Sequence, residues 1–170
     1  DTTVVLRPIA EGGPVLEFWF QGEDSPEHFL LENRIRSTFD RELPAEGLLI
    51  QQVDEAVVGP RISSNRINTG PTPGLRVLEA DGDFDLLNGS NRGDPNDPLP
   101  GQQQRTFLDD FSRPTLRTFA GAPTNIAIEQ VARVGRDVSM RLRVRAAGWD
   151  RTRAVAPTAA EGFDRVTAAP

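Results

Sequence analysis

Cysteine, lysine and tyrosine are missing from this 170-residue sequence, and histidine and methionine occur once each. Without cysteine there are no disulfides, no thiolate nucleophile and no cysteine-type zinc site, although the compartment stays open. A single histidine, His28, rules out a zinc helix carrying two histidines. A serine triad would have to run through His28, which sits in an apolar stretch beside Glu27 and Phe29, and a lone strand histidine ordinarily packs or hydrogen-bonds. No Gly-x-Ser-x-Gly turn and no glycine-rich phosphate loop occurs. No apolar run approaches the roughly 20 residues of a membrane span. No signal peptide opens the chain, and Asp1 does not resemble a native start, so the chain reads as a mature or excised piece. All 19 basic residues are arginine, as a GC-rich coding bias would give. The net charge of -6 supplies no attraction to nucleic acid or anionic membranes.

What is present points to strands. Fifteen glycines and 14 prolines break the chain into short segments, and a 37% hydrophobic content suffices for one core. Residues 4–9 and 15–20 are β-branched and aromatic runs separated by Glu11-Gly12-Gly13-Pro14, a hairpin signal. Residues 28–35 predict a third strand, with Phe29, Leu31 and Asn33 on one face and Leu30, Glu32 and Arg34 on the other. Further strands are expected at 47–53 and 75–80, then a closing hairpin of 125–134 and 138–145 across Gly135-Arg136-Asp137. In its last strand Val138, Met140, Leu142 and Val144 alternate with Ser139, Arg141, Arg143 and Arg145. Two long loops, 54–74 with one short helix near 54–58 and 81–104, interrupt the pattern and are expected to be functional. The expected fold is mostly β, an antiparallel β-sandwich-like domain over residues 1–145. Residues 146–170 read as an Ala/Pro-rich extended tail or linker, with Trp149 and Phe163 as docking points.

The densest chemistry lies in the second loop. Asp81, Asp83, Asp85, Asp94 and Asp97 fall within one short stretch, with Asn88, Asn91 and Asn96 among them. Calcium requires six to eight hard oxygens, and it would relieve the mutual repulsion of five carboxylates. The expected ligands are Asp81, Asp83, Asp85, Asn88, Asn91, Asp94 and Asp97. The loop is no EF-hand, since Leu86 and Arg92 stand where glycine and glutamate belong. A pair of Asx-turns is the alternative. Asn88-Gly89-Ser90 matches an N-glycosylation acceptor. Glu17, Glu27 and Glu32 could converge for glycoside hydrolysis, but solvent-facing or arginine-paired carboxylates explain them more simply.

Several strings in order carry a resemblance. They are His28-Phe29-Leu30-Leu31-Glu32-Asn33-Arg34, Phe39-Asp40, Leu43-Pro44, Gly47-Leu48-Leu49-Ile50 and Val53-Asp54-Glu55. Leu78-Glu79-Ala80-Asp81-Gly82, Asp85-Leu86, Asn91-Arg92-Gly93-Asp94, Asp97-Pro98 and Pro100-Gly101 follow, then Phe119-Ala120-Gly121 and Ile126-Ala127-Ile128. Over residues 1–145 this series resembles the segment following the zinc site in secreted metallopeptidases of the immune inhibitor A (thuringilysin) type. The resemblance implies a secreted or extracellular, calcium-associated proteolytic protein. In that family a helix with two histidines holds zinc upstream of this segment, so no zinc ligand and no catalytic residue carries over to this chain. The sequence departs from the family pattern at Gln51-Gln52, where an aromatic-His pair is usual, and at His28, where tyrosine is usual. The implied role is a non-catalytic β portion that completes the fold, shapes the substrate cleft for a protein substrate and holds calcium. Its partner would be the upstream catalytic segment or a cleaved companion chain. Glu32, Asn33 and Arg34 would form an internal polar network. The other reading is a free-standing secreted or surface β-sandwich module, with Trp19 and Trp149 serving a carbohydrate or protein ligand.

Overall fold

The computed structural model describes residues 1–20 and 24–144 with their side chains, and residues 155–160 and 163–168 as strand backbone. Two sheets face one another. The first has the order β1 (Thr2–Leu6), β7 (Asp137–Val144), β6 (Ile126–Val134), all antiparallel. The second runs β5 (Leu75–Val77), β4 (Gly47–Asp54), β3 (Glu27–Arg34), β2 (Val15–Trp19), also antiparallel. Beyond β2 the strand backbone of β9 (Phe163–Ala168) adds in parallel, with β8 (Val155–Ala160) antiparallel outside it. The sandwich-like, mostly β expectation therefore stands. The stretch expected as a tail includes two strand backbones, while Trp149 and the Phe163 side chain lie outside the described residues.

The alternation in β7 places Val138, Met140, Leu142 and Val144 in the core and leaves the residues between them half-buried. Opposite them β3 contributes Phe29 and Leu31, β2 Leu16 and Phe18, and β4 Leu48 and Ile50. Phe18 and Phe29 stack with centroids 5.8 Å apart. In β6 one extra residue between Glu129 and Ala132 forms a bulge at Gln130 (φ 54°), which returns Val131 to the core after Ile126 and Ile128.

The expected hairpin of 4–9 with 15–20 does not form. β1 pairs with β7 in the first sheet and β2 with β3 in the second. The connecting loop crosses between the sheets instead of folding back. Asn33, buried in β3, donates through Nδ2 to the carbonyls of Leu6 and of Arg136, each at 2.9 Å, and Pro8 bridges to Asn33. A Cβ at Gly13 would lie 2.1 Å from the Arg7 carbonyl oxygen, so the crossing is too tight for any other residue. Glycine-rich turn signals look the same for a hairpin and for such a crossing.

The far end of the core carries a second polar plug. Glu27 Oε1 accepts from Gln52 Nε2 at 2.5 Å and from Phe119 N at 2.6 Å. Gln52 Oε1 accepts from Arg76 Nε and Nη2 at 2.9 and 2.6 Å, and the Arg76 guanidinium lies 4.9 Å from the Phe119 ring centroid. Burial pushes the Glu27 carboxyl up and the Arg76 guanidinium down from their ordinary values.

Candidate metal centre

The two acidic stretches meet because the chain leaves the second sheet early. Only Leu75–Val77 forms β5, shorter than the expected 75–80. Leu78 N still donates to Ile50 O at 2.8 Å, but Ala80 N donates to Asp97 O at 2.9 Å. Leu48 and Leu99 exchange two backbone hydrogen bonds of 2.9 Å, which tie the end of the loop to β4. At that contact a Cβ on Gly47 (φ 150°) would sit 2.3 Å from the Leu99 carbonyl oxygen, so glycine is required. The helix expected near 54–58 forms as α1 (Glu55–Arg61), capped by the Asp54 side chain accepting from Ala56 N at 3.0 Å.

Glu79, Asp81 and Asp97 consequently converge, each offering one oxygen within 4.8 Å of the others. Glu79 and Asp97 are buried and Asp81 is half-buried. Glu79 Oε2 accepts from Leu86 N at 3.2 Å, at the start of the single turn α2 (Asp85–Asn88), whereas Glu79 Oε1 is buried with no partner. Asp97 Oδ2 accepts from Asp94 N at 2.6 Å, and Asp97 Oδ1 is likewise buried and unpartnered. Asn96 Oδ1 next to it is a third such atom. Burying a carboxylate oxygen without a donor is costly, so unmet oxygens of this kind need an explanation.

The electrostatics agree. Burial pushes the Asp97 carboxyl up to about 6, with further elevation from Asp94, Glu79 and Asp81, against the stabilising N–H of Asp94. Burial also raises Glu79, opposed by the N–H groups of Leu86, Asp85 and Leu87. Among the described residues no arginine pairs with these three carboxylates. The nearby arginines hold main-chain carbonyls instead. Arg105 Nη1 donates to Ala80 O at 2.5 Å and also to Arg113 O, and Arg113 Nε donates to Gly82 O at 3.2 Å. The result is three acidic side chains without an arginine partner among the described residues, framed by arginine–carbonyl contacts and offering hard oxygens of the kind a divalent cation can take.

Of the seven ligands expected from sequence, Asp81 and Asp97 are brought together. The others lie in local turns. Asp85 Oδ2 accepts from Asn91 Nδ2, Asn91 Oδ1 from Gly93 N, and Asp94 Oδ1 from Asn96 N, at 3.0, 2.8 and 2.7 Å. Asp83 and Asn88 are exposed. Glu79 was missed by sequence reasoning, although the spacing Glu79-Ala80-Asp81 on an emerging strand sets both acids to one side.

Among the described residues the remaining candidates do not converge on a second centre. Arg34 clasps Glu32 through Nε and Nη2 at 2.9 and 3.2 Å and reaches Asp40 Oδ2 at 2.8 Å, and Gln51 Nε2 donates to Glu32 Oε1 at 3.0 Å. Asn33 points to the opposite face, so the expected trio is a Glu32–Arg34 pair plus a separate inter-sheet clamp. His28 is buried with Nε2 3.5 Å from Glu17 Oε1, beside a Trp19 only 2% exposed. Three comparisons, with protein-family models, with curated proteins and with solved structures, find no match to this chain.

Proposed function

We propose that this chain is the non-catalytic, calcium-stabilised β portion of a secreted metallopeptidase of the immune inhibitor A type, or of a diverged relative. In this reading it completes the fold, helps wall the substrate cleft and pins its second loop with a divalent cation. The observation that carries the cation is the pair of buried, unpartnered carboxylate oxygens on Glu79 and Asp97 beside Asp81. These three residues would hold the ion, and calcium would supply a double positive charge that offsets most of theirs and fixes the loop at β4 and β5. The ordered strings from His28 to Ile128 support the peptidase context. The alternative, a free-standing secreted or surface binding module using Trp19 and Trp149, loses support at Trp19, whose ring is buried, while Trp149 lies outside the described residues.

Calorimetric titration of chelator-stripped protein tests the cation. Saturable calcium binding that is lost in Glu79→Gln and Asp97→Asn is expected, and no heat with no thermal shift at millimolar calcium would sink it. Translating the coding sequence on the 5′ side of Asp1 tests the peptidase context independently. A His-Glu-x-x-His helix there supports it, and a signal peptide directly before Asp1 refutes it.

A further inference from the structure

The second sheet has an outer flank at β5. Asp54 N donates to Gly74 O and Leu78 N to Ile50 O, each at 2.8 Å, so the Gly74 carbonyl and residues 76 and 78 bond toward β4, while Gly74 N donates to Ile67 O at 2.9 Å. The backbone polar groups of Leu75 and Val77 therefore point away from the sheet. Leu75 N–H is taken by Asn68 Oδ1 at 3.0 Å. The Val77 N–H and carbonyl have no partner among the described residues. Beside this edge lies a cavity of about 190 Å³ lined by Asn68, Leu75, Arg76, Val77, Leu86 and Leu87, with Leu87 45% exposed. A basic cavity lined by Arg61, Ser64, Arg66 and Thr69 adjoins it in sequence through Asn68 and Thr69. Arg61 Nη1 is held toward it by the Thr69 carbonyl at 2.7 Å. Neither Arg61 nor Arg66 has a carboxylate partner among the described residues.

We propose that β5 accepts an extended, acidic segment of a partner protein as an added strand. Its backbone bonds the free polar groups of Val77, an apolar side chain enters the groove between Val77 and Leu87, and a flanking carboxylate meets Arg61 and Arg66. An extended chain offers a donor and an acceptor at the spacing of the Val77 carbonyl and N–H. Arg61 and Arg66, which have no carboxylate partner among the described residues, favour an acidic one locally against the chain's overall charge of -6. Because the edge is three residues long, few backbone bonds form, and groove and charge carry the selectivity.

The probe is the capped peptide Asp-Thr-Val-Thr-Val, titrated at fixed calcium concentration so that the outcome does not depend on the cation. Amide NMR should show saturable shifts centred on Leu75, Val77 and Leu87. Methylating the peptide's bonding amides, or Val77→Pro, which removes the outward N–H while sparing the β4 ladder, should weaken binding about tenfold or more. Arg66→Glu should weaken it and remove its salt sensitivity, and Leu87→Glu should abolish it, both with unchanged melting temperatures. Shifts that do not saturate, that survive Leu87→Glu and N-methylation, or that report self-association of the chain in place of peptide binding would each overturn the proposal.

Discussion

Asp110 and Asp97 are both buried loop carboxylates, 7% and 4% exposed, yet they are opposites in how they are satisfied. Asp110 Oδ1 accepts from Thr124 N and Thr124 Oγ1, each at 3.0 Å, and its Oδ2 from Asn125 N at 2.8 Å. Its charge is spent on fixing the entry to β6. Asp97 has one donor on Oδ2, none on Oδ1, and two other acids at its side. A carboxylate with a full set of donors is a structural staple. One with an empty oxygen facing other acids is half of a site. If this distinction is right, the two residues answer differently to the same substitution.

The largest effect is expected at the staple. Asp110→Ala leaves three donors unmet, two of them fully buried, and should cost about 3–5 kcal/mol, read as a lower urea midpoint, equally with calcium or chelator. Asp97→Asn should cost little in chelator, because it removes a charge that burial already disfavours, and should erase the calcium-dependent part of stability. That part comes next in size. At one hundred times its dissociation constant the cation contributes about 2.7 kcal/mol, a melting shift of roughly 5–10 °C that Glu79→Gln should also remove. Equal responses of Asp110 and Asp97 variants to chelator would dissolve the comparison.

A pH series sharpens it further. The folded-state Asp97 carboxyl titrates at about 6 against an ordinary 3.8, and Glu79 is raised too. Between about pH 4 and 6 the unfolded chain releases these protons while the folded chain keeps them, so metal-free protein loses stability as pH rises through that window. Calcium needs the deprotonated carboxylates, so its stabilisation should grow over the same range. Denaturant midpoints at pH 4, 5, 6 and 7, with and without calcium, should diverge upward. Parallel curves would mean that no ion is bound by these groups.

Much of the sandwich is legible from alternation alone. β7 and β3 distribute their faces as their patterns require, because period-two order is a local property. The partner of β1 is not legible, since the 3₁₀ turn Ile9–Glu11 and the glycines between β1 and β2 serve a crossing as well as a hairpin. Gln52 carries a signal of its own: a polar residue at an inward position after Leu48 and Ile50 marks the plug with Glu27 and Arg76. In the acidic loop, density of aspartate marked the region but not its members. Membership depends on where Ala80 N and Leu99 find their backbone partners, contacts with distant segments that side-chain spacing does not encode.

The smallest prediction therefore discriminates best between density and convergence. Asp83 belongs to the same alternating run as Asp81 and Asp85, so a site built by acid spacing would lose a ligand in Asp83→Ala. In the folded chain Asp83 is exposed, and it meets the cluster only through its backbone N–H, which donates to Asp81 Oδ1 at 3.1 Å and survives the substitution. Stability should change by less than about 0.5 kcal/mol, as for ordinary surface positions, and calcium affinity by less than about twofold. A tenfold loss of affinity would mean that the loop closes around the ion in a way that draws Asp83 inward, and the site would then be the wider one its sequence spacing suggests.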